Sequence, residues 1–272
     1  MVIMADIVRS AKCGSSWTEA ELDAYNIEVV SKSEKDFFEE EANNSLEHVS
    51  KLFLEFEYVP GEKLPKNSEK IILHLDLASR VKEGQESLVD NFAGELLKFI
   101  GFESGERLVI IRYALRLLIS GTNSVAQTDV CIMDINSSSL LLIHKRIENP
   151  TDPEPQVIAE AIAAFQENNM IRKKRDLPPI SKMIVPCITM CGTSPTFYLV
   201  PITKELNKSV VRAQYPQNTT YVSKHIPKIP RRSSDGMKQV DNRKKILQCY
   251  EAFKKFVDRL EDELHISDDQ LD

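Results

Sequence analysis

Residues 124–148, SVAQTDVCIMDINSSSLLLIHKRIE, predict two adjacent β-strands joined by a tight turn. Residues 126–135 alternate and are rich in β-branched side chains, the Asn-Ser-Ser of residues 136–138 favours a turn, and residues 140–147 form a second apolar run. Both strands are apolar on both faces over most of their length, which is typical of a sheet covered on each side. The stretch therefore predicts the centre of an α/β domain.

One acid and one lysine stand out on these two strands. Side chains two positions apart share a face of a strand, so Asp129 lies on the face of Cys131, and Lys145 lies on the face of Ile143. His144 points to the opposite face from Lys145. An acid on one central strand and a lysine near the end of the next is the arrangement of a metal-dependent nuclease.

On these residues the chain resembles the PD-(D/E)XK phosphodiesterase superfamily, whose core is a helix, three antiparallel strands, a helix and a strand. Asp129 matches the acid of the second strand, with Thr128 where the family often has proline, and Lys145 matches the lysine of the third. Ile143 stands where the family has its second carboxylate. The resemblance implies an α/β (α+β) restriction-endonuclease-like fold, with a central mixed sheet flanked by helices and a site that lacks one ligand.

Longer stretches of the chain carry a second likeness. They are similar to a group of fungal proteins of unassigned function that have the same nuclease-like fold: WTEAELDAYNI, GQESLVDNFAGELLKFIGF, AQTDVCIMD, PEPQVIAEAIAAFQENN and GTSPTFYLVPIT. This likeness covers most of the chain and implies no activity.

The remaining patterns predict one compact unit in three parts. Residues 1–80 are expected to form a helical N-terminal extension, residues 81–202 the nuclease-like core, and residues 203–272 a helix, an extended basic segment and a C-terminal amphipathic helix. Helical spacing of apolar residues predicts core helices over residues 85–99 and 156–168. The order helix, three strands, helix, strand thus follows from patterns that do not involve the Asp and the Lys.

The candidate catalytic residues are Asp129, Lys145, Glu86 and Gln156. The resemblance implies that Glu86, at the start of the first core helix, lends a carboxylate to a metal site and that Gln156 stands beside that site. Mg²⁺ requires hard oxygen ligands, so Asp129 and Glu86 are the candidate metal ligands, for a weak site. The alternative interpretations are a solvated glutamate at a helix start and a structural pair between Asp129 and Lys145.

The net charge of −6 is unevenly distributed. Residues 201–245 carry 11 Lys+Arg and 3 Asp+Glu, a net charge of +8, which is suited to an anionic partner. A solvated surface strip is the alternative. The candidate nucleic-acid contacts are Lys173, Lys174, Arg175, Arg231, Arg232, Arg243, Lys244 and Lys245.

Cysteine and histidine spacing predicts no zinc motif. Cys187 and Cys191 have no second Cys/His pair at zinc spacing, and four of the histidines (His48, His74, His225 and His265) have no partner at a recognisable distance in sequence. Five cysteines without a C-x-x-C suggest free thiols in a reducing compartment. With no secretion signal and no apolar run of about 20 residues, we expect an intracellular protein, cytoplasmic or nuclear, without a membrane partner.

Three functions remain open on the sequence alone. The first, favoured by Ile143, is a catalytically degenerate nuclease-like module without a cofactor, a pseudoenzyme whose candidate partner is nucleic acid. The second is an active Mg²⁺-dependent nuclease that uses Asp129, Glu86 and Lys145. The third is a protein–protein scaffold or effector that retains only the fold.

Overall fold

The computed structural model describes residues 9–57, 64, 69–80, 85, 87–146 and 153–269, with side chains to residue 265. Its centre is a seven-stranded mixed sheet in the order β1-β7-β6-β5-β4-β3-β2. The strands are β1 Ile27–Ser31, β2 Arg107–Ile119, β3 Thr122–Asp134, β4 Leu140–Arg146, β5 Lys182–Cys191, β6 Ser194–Thr203 and β7 Thr220–His225. The helices are α1 Glu19–Ala24, α2 Glu34–Phe38, α3 Lys51–Glu55, α4 Lys70–Ala78, α5 Ser87–Phe99, α6 Glu154–Lys174, α7 Lys204–Arg212 and α8 Val240–Asp269, with short 3₁₀ helices at Gly14–Ser16 and Ser233–Lys238.

The middle of the chain has the predicted order of elements. Helix α5 precedes an antiparallel meander of β2, β3 and β4, and α6 then connects β4 to β5, which pairs parallel with it. A parallel pair requires such a crossover, whereas β5 and β6 are joined by a tight turn. The predicted fold class, a mixed sheet flanked by helices with a C-terminal helix, is confirmed.

Helices cover both faces of the sheet. Residues paired across the sheet point to the same face, and the row His144, Ile188, Phe197, His225 faces α8, whose Tyr250 ring lies 5.1 Å from that of Phe197. The next row toward the start of β4 runs through Ile143 and faces α6. Strands β3 and β4 are therefore buried on both sides over most of residues 126–146, as their double-sided apolar pattern predicts.

The predicted helix over residues 156–168 continues to Lys174. Asparagine is a poor helix residue, but Asn168 is buried and its amide bonds both the N–H and the carbonyl of Leu140. Arg172, one turn further, is also buried and donates to the carbonyl of Pro178. Tertiary hydrogen bonds thus extend the helix past the point where its apolar pattern ends.

The N-terminal part also contributes a strand that sequence analysis did not predict. Strand β1 pairs parallel with β7 at the edge of the sheet, and only its first residue, Ile27, is buried. A five-residue edge strand with one buried side chain leaves little periodic signal. Within the described residues, no helix combines the length and apolarity needed to cross a membrane.

Candidate functional site: an acid–lysine cluster at one end of the sheet

Asp129 and Lys145 lie side by side, as predicted. The register of β3 and β4 pairs Val130 with His144, which places Asp129 next to Lys145 at the end of β4. The Lys145 Nζ is 3.5 Å from the Asp129 Oδ2, and both side chains are 13% exposed. The ladder between β2 and β3 skips Arg112, which has a φ of 57° in the left-handed region, so the backbone is locally irregular beside Asp129.

Glu160 on α6 completes a second contact with the lysine. Its Oε1 lies 3.2 Å from the Lys145 Nζ, and the side chain is 1% exposed. The sequence predicted that the site lacks a second carboxylate because residue 143 is isoleucine. In the structure, Glu160 of the adjacent helix places a second carboxyl group beside Lys145. Glu160 is not among the residues predicted from the sequence, although an acid inside the apolar run VIAEAIAAF is a usable signal of a buried functional group.

Arg146 and Asp90 form a second ion pair at the same end of the sheet. The Arg146 side chain donates to the Asp90 carboxylate, and the Arg146 backbone N–H donates to the Asp129 Oδ2 at 2.8 Å. The predicted ligand Glu86 lies outside the described residues, and within them Asp90 of α5 is an acid that reaches the site. We call Asp90, Asp129, Lys145, Arg146 and Glu160 the acid–lysine cluster.

The cluster is divided between the two faces of the sheet. Lys145 and Glu160 lie on the face covered by α6, whereas Arg146, the next residue of the strand, meets Asp90 of α5 on the other face. Asp129 contacts both residues 145 and 146. Within the described part of the chain, the three carboxylates do not form a group whose oxygens all lie within 4.8 Å of one another.

Burial and charge shift the protonation of the cluster. Burial raises the pKa of Glu160 to about 8, against the opposing effect of the Lys145 ammonium. Burial and then the charge of Asp129 raise the pKa of Asp90, with Arg146 opposing them. Burial disfavours the charged Lys145, but Glu160 and Asp129 outweigh it and raise the pKa of the lysine. The lysine stays charged, and Glu160 is mostly protonated at neutral pH.

His144 does not provide a polar group on the face of Lys145. It is fully buried on the face opposite Lys145, and neither ring nitrogen has a hydrogen-bond partner. Burial lowers the pKa of His144 to about 4, so the ring is neutral. The predicted Gln156 is half-buried on α6, one turn before Glu160 and therefore on the same side of that helix.

The predicted basic contacts do not converge on the cluster. Lys173, Lys174 and Arg175 are exposed at the far end of α6, about 20 Å along the helix axis from Glu160 at a rise of about 1.5 Å per residue. These three residues lie near the opposite ends of the strands from Lys145, because α6 connects the end of β4 to the start of the parallel strand β5. They cannot share a bound phosphate with the cluster.

Arg243 is a structural residue, and its predicted role in nucleic-acid binding is wrong. It is fully buried, and its guanidinium donates to the carbonyls of residues 53, 56, 237 and 238. Lys245 is also engaged, because its Nζ donates to the Glu34 Oε1 at 2.6 Å. Lys244 is exposed on the same helix. Sequence charge alone could not separate these three neighbours, because burial follows from the orientation of α8.

Arg231 and Arg232 lie in a segment that runs past the same ends of the strands as the acid–lysine cluster. We call residues 226–232 the edge segment. The segment begins after His225, the last residue of β7. His225 lies in the same row across the sheet as His144, the residue before Lys145, and three strand spacings, about 14 Å, separate the two. The segment ends beside the turn between β5 and β6, where the Ser194 Oγ donates to the carbonyl of residue 233 at 2.6 Å. Lys228, Arg231 and Arg232 are all exposed.

No model of a known protein family matches the chain, and no curated protein matches it. The nuclease resemblance therefore remains a prediction from the residues quoted above.

Proposed function

We propose that the protein is a catalytically degenerate nuclease-like module that binds nucleic-acid phosphates at the end of the sheet and does not cleave them. The observation that carries this proposal is that protein cations already balance the acids. Arg146 pairs with Asp90, and Lys145 lies between Asp129 and Glu160. With Glu160 mostly protonated, two carboxylates face two fixed cations.

The geometry of the acids also argues against a hard-cation site. Octahedral Mg²⁺ holds its oxygen ligands at about 2.1 Å, which requires carboxylates that converge on one point. Asp90 and Glu160 approach from opposite faces of the sheet, and the buried Ile143 fills the position between Cys131 and Cys187. Without the metal there is no ion to lower the pKa of a bound water or to offset charge on the phosphate.

The edge segment supports phosphate binding. Lys228, Arg231 and Arg232 are exposed cations at the same end of the sheet as Lys145. The backbone N–H of Arg231 donates to the Asn242 Oδ1 at 2.8 Å, which holds the segment against α8. Exposed cations of this kind attract the phosphate backbone without reading sequence.

The test is binding to single-stranded and duplex DNA and RNA at several salt concentrations. Wild type should bind at low salt, and the affinity should fall steeply as salt is added. K228A/R231A/R232A should weaken binding and reduce the log–log salt slope by about 2 to 3, at about 0.9 per lost phosphate contact. The matched control K173A/K174A/R175A, at the far end of α6, should leave the slope unchanged.

Two results would remove the nucleic-acid proposal. They are the absence of binding at low salt and binding that is indifferent to salt. Either result would favour the alternative function, a protein–protein scaffold that retains only the fold. Equal effects of the two triple variants would contradict the assignment of binding to the edge segment.

One observation favours the alternative of an active divalent-metal phosphodiesterase. The Glu160 Oε2 and the Asp90 Oδ1 are buried and have no hydrogen-bond partner. Buried acceptors of this kind are often satisfied by a ligand or water. In this alternative Asp129 and Glu160 or Asp90 would hold the ion and Lys145 would orient the nucleophile. Metal-stimulated cleavage that D129N abolishes would establish it over the degenerate module.

A further inference from the structure

Three residues far apart in sequence form a second polar cluster. Glu34 at the start of α2, His225 at the end of β7 and Cys249 in α8 each offer a ligand atom, and these atoms all lie within 4.8 Å of one another. His225 and Cys249 are buried and Glu34 is half-buried. The cluster joins the N-terminal part of the chain to the sheet and to the C-terminal helix.

His225 has a buried ring nitrogen whose lone pair is unused. The side chain is 2% exposed, and its Nδ1 lies 3.2 Å from the carbonyl oxygen of Lys32. A carbonyl only accepts, so this contact places the ring proton on Nδ1 and leaves a lone pair on Nε2. The Nε2 is buried and has no hydrogen-bond partner. A histidine that donates one N–H to a carbonyl while the other nitrogen is unprotonated has the form of a metal-ligating histidine.

Cys249 and Glu34 are held beside that ring. The Cys249 thiol is fully buried, and burial raises its pKa to about 12, so it is protonated when no metal is present. The Glu34 Oε1 accepts from the backbone N–H of Ala42 at 2.8 Å and from the Lys245 Nζ at 2.6 Å. These two donors fix the orientation of the carboxylate, as outer hydrogen bonds do around ligating carboxylates.

We propose that Glu34, His225 and Cys249 bind one Zn²⁺ ion. A thiolate, an imidazole and a carboxylate are the three ligand types that zinc accepts, whereas Mg²⁺ and Ca²⁺ take oxygen ligands and have no use for the sulfur. On binding, the thiol S–H breaks, its proton passes to the buffer and a Zn–S bond forms. The ion fastens α2, β7 and α8 together.

The test uses protein freed of metal with a chelator and then titrated with Co²⁺ and Zn²⁺. Wild type should bind one equivalent of Co²⁺ with a thiolate-to-cobalt charge-transfer band, and Zn²⁺ should displace it. C249S should lose the band. The matched control is C187S, since Cys187 is also fully buried but lies in the middle of β5. C187S should retain the band and the stoichiometry.

A wild type without the band, a band that persists in C249S, or equal loss in both serine variants would overturn the proposal. Near-UV circular dichroism of the metal-free proteins establishes that each variant is folded before titration. If C249S does not fold, the E34Q variant tests the proposal instead. Glutamine keeps an oxygen that accepts from the Ala42 N–H and the Lys245 Nζ, so E34Q is expected to fold. Zn²⁺ affinity of E34Q should fall at least about 10-fold, and an unchanged affinity would also overturn the proposal.

Discussion

Two groups of polar side chains on the same sheet differ in how their charges are balanced. In the acid–lysine cluster, Lys145 and Arg146 already occupy the carboxylates. In the Glu34–His225–Cys249 cluster, the imidazole and the thiol are uncharged and one buried ring nitrogen has no partner. In both groups the acid has a protein cation beside it, since Glu34 pairs with Lys245, but only the second group also holds a neutral imidazole nitrogen and a thiol that could bind a metal ion.

Removal of the central lysine is expected to have the largest effect. K145M would leave the Asp129 carboxylate without its cation, and breaking a partly buried pair costs about 3–5 kcal/mol. The control is K173M, whose target is exposed at the far end of α6 and should change stability by no more than about 0.5 kcal/mol. Urea unfolding measures both variants. Equal midpoints would show that the acid–lysine cluster does not depend on the lysine.

The fold was predictable from sequence because its signals are local and numerous. The double-sided apolar strands, the helical stripe before them and the order of elements all follow from side-chain periodicity. Within the site, Asp129 and Lys145 were predictable because strand register brings neighbouring positions together. Glu160 was not, because its role depends on how α6 rotates onto the sheet. The Glu34–His225–Cys249 cluster was still less accessible, since its ligands lie at positions 34, 225 and 249 and meet only in the folded chain.

A carboxylate introduced at position 143 should allow the acid–lysine cluster to bind a divalent ion. I143E places an acid on the face of Lys145 and Glu160, and without metal it should destabilise the fold by roughly 3 kcal/mol because Ile143 is fully buried. Excess Mn²⁺ should recover much of that loss, about 2.7 kcal/mol at 100 times the dissociation constant. Thermal melts with and without Mn²⁺ measure this.

I188E is the control for that variant. Ile188 is equally buried, pairs with His144 and points to the face opposite Lys145. It should lose stability without any recovery in Mn²⁺. If Mn²⁺ does not restore stability to I143E either, a side chain at position 143 does not reach the carboxyl groups of Asp129 and Glu160.

A further expected effect is a pH dependence that belongs to Glu160. Its pKa is about 8 in the folded protein, above the ordinary value of 4.5, so between these values the folded state binds more protons than the unfolded state. The contribution of this carboxyl to stability is therefore present below about pH 4.5 and is lost as the pH rises to about 8, by up to about 1.4 kcal/mol per pH unit. E160Q should lack this decline, so its stability relative to wild type should increase from pH 5 to pH 8. Unfolding curves across that range test it, and a parallel pH profile in both proteins would contradict the raised pKa.

The central claim is that the acid–lysine cluster binds no divalent ion and does not cleave nucleic acid. Its most direct test is Mn²⁺ calorimetry on wild type and D129N, together with a cleavage assay on single-stranded and duplex DNA and RNA. D129N removes the acid that contacts both residues 145 and 146 while keeping its shape. The degenerate module predicts that the two proteins give the same Mn²⁺ isotherm and that neither cuts any substrate. Saturable Mn²⁺ binding by wild type that D129N abolishes, together with metal-dependent cleavage, would contradict it.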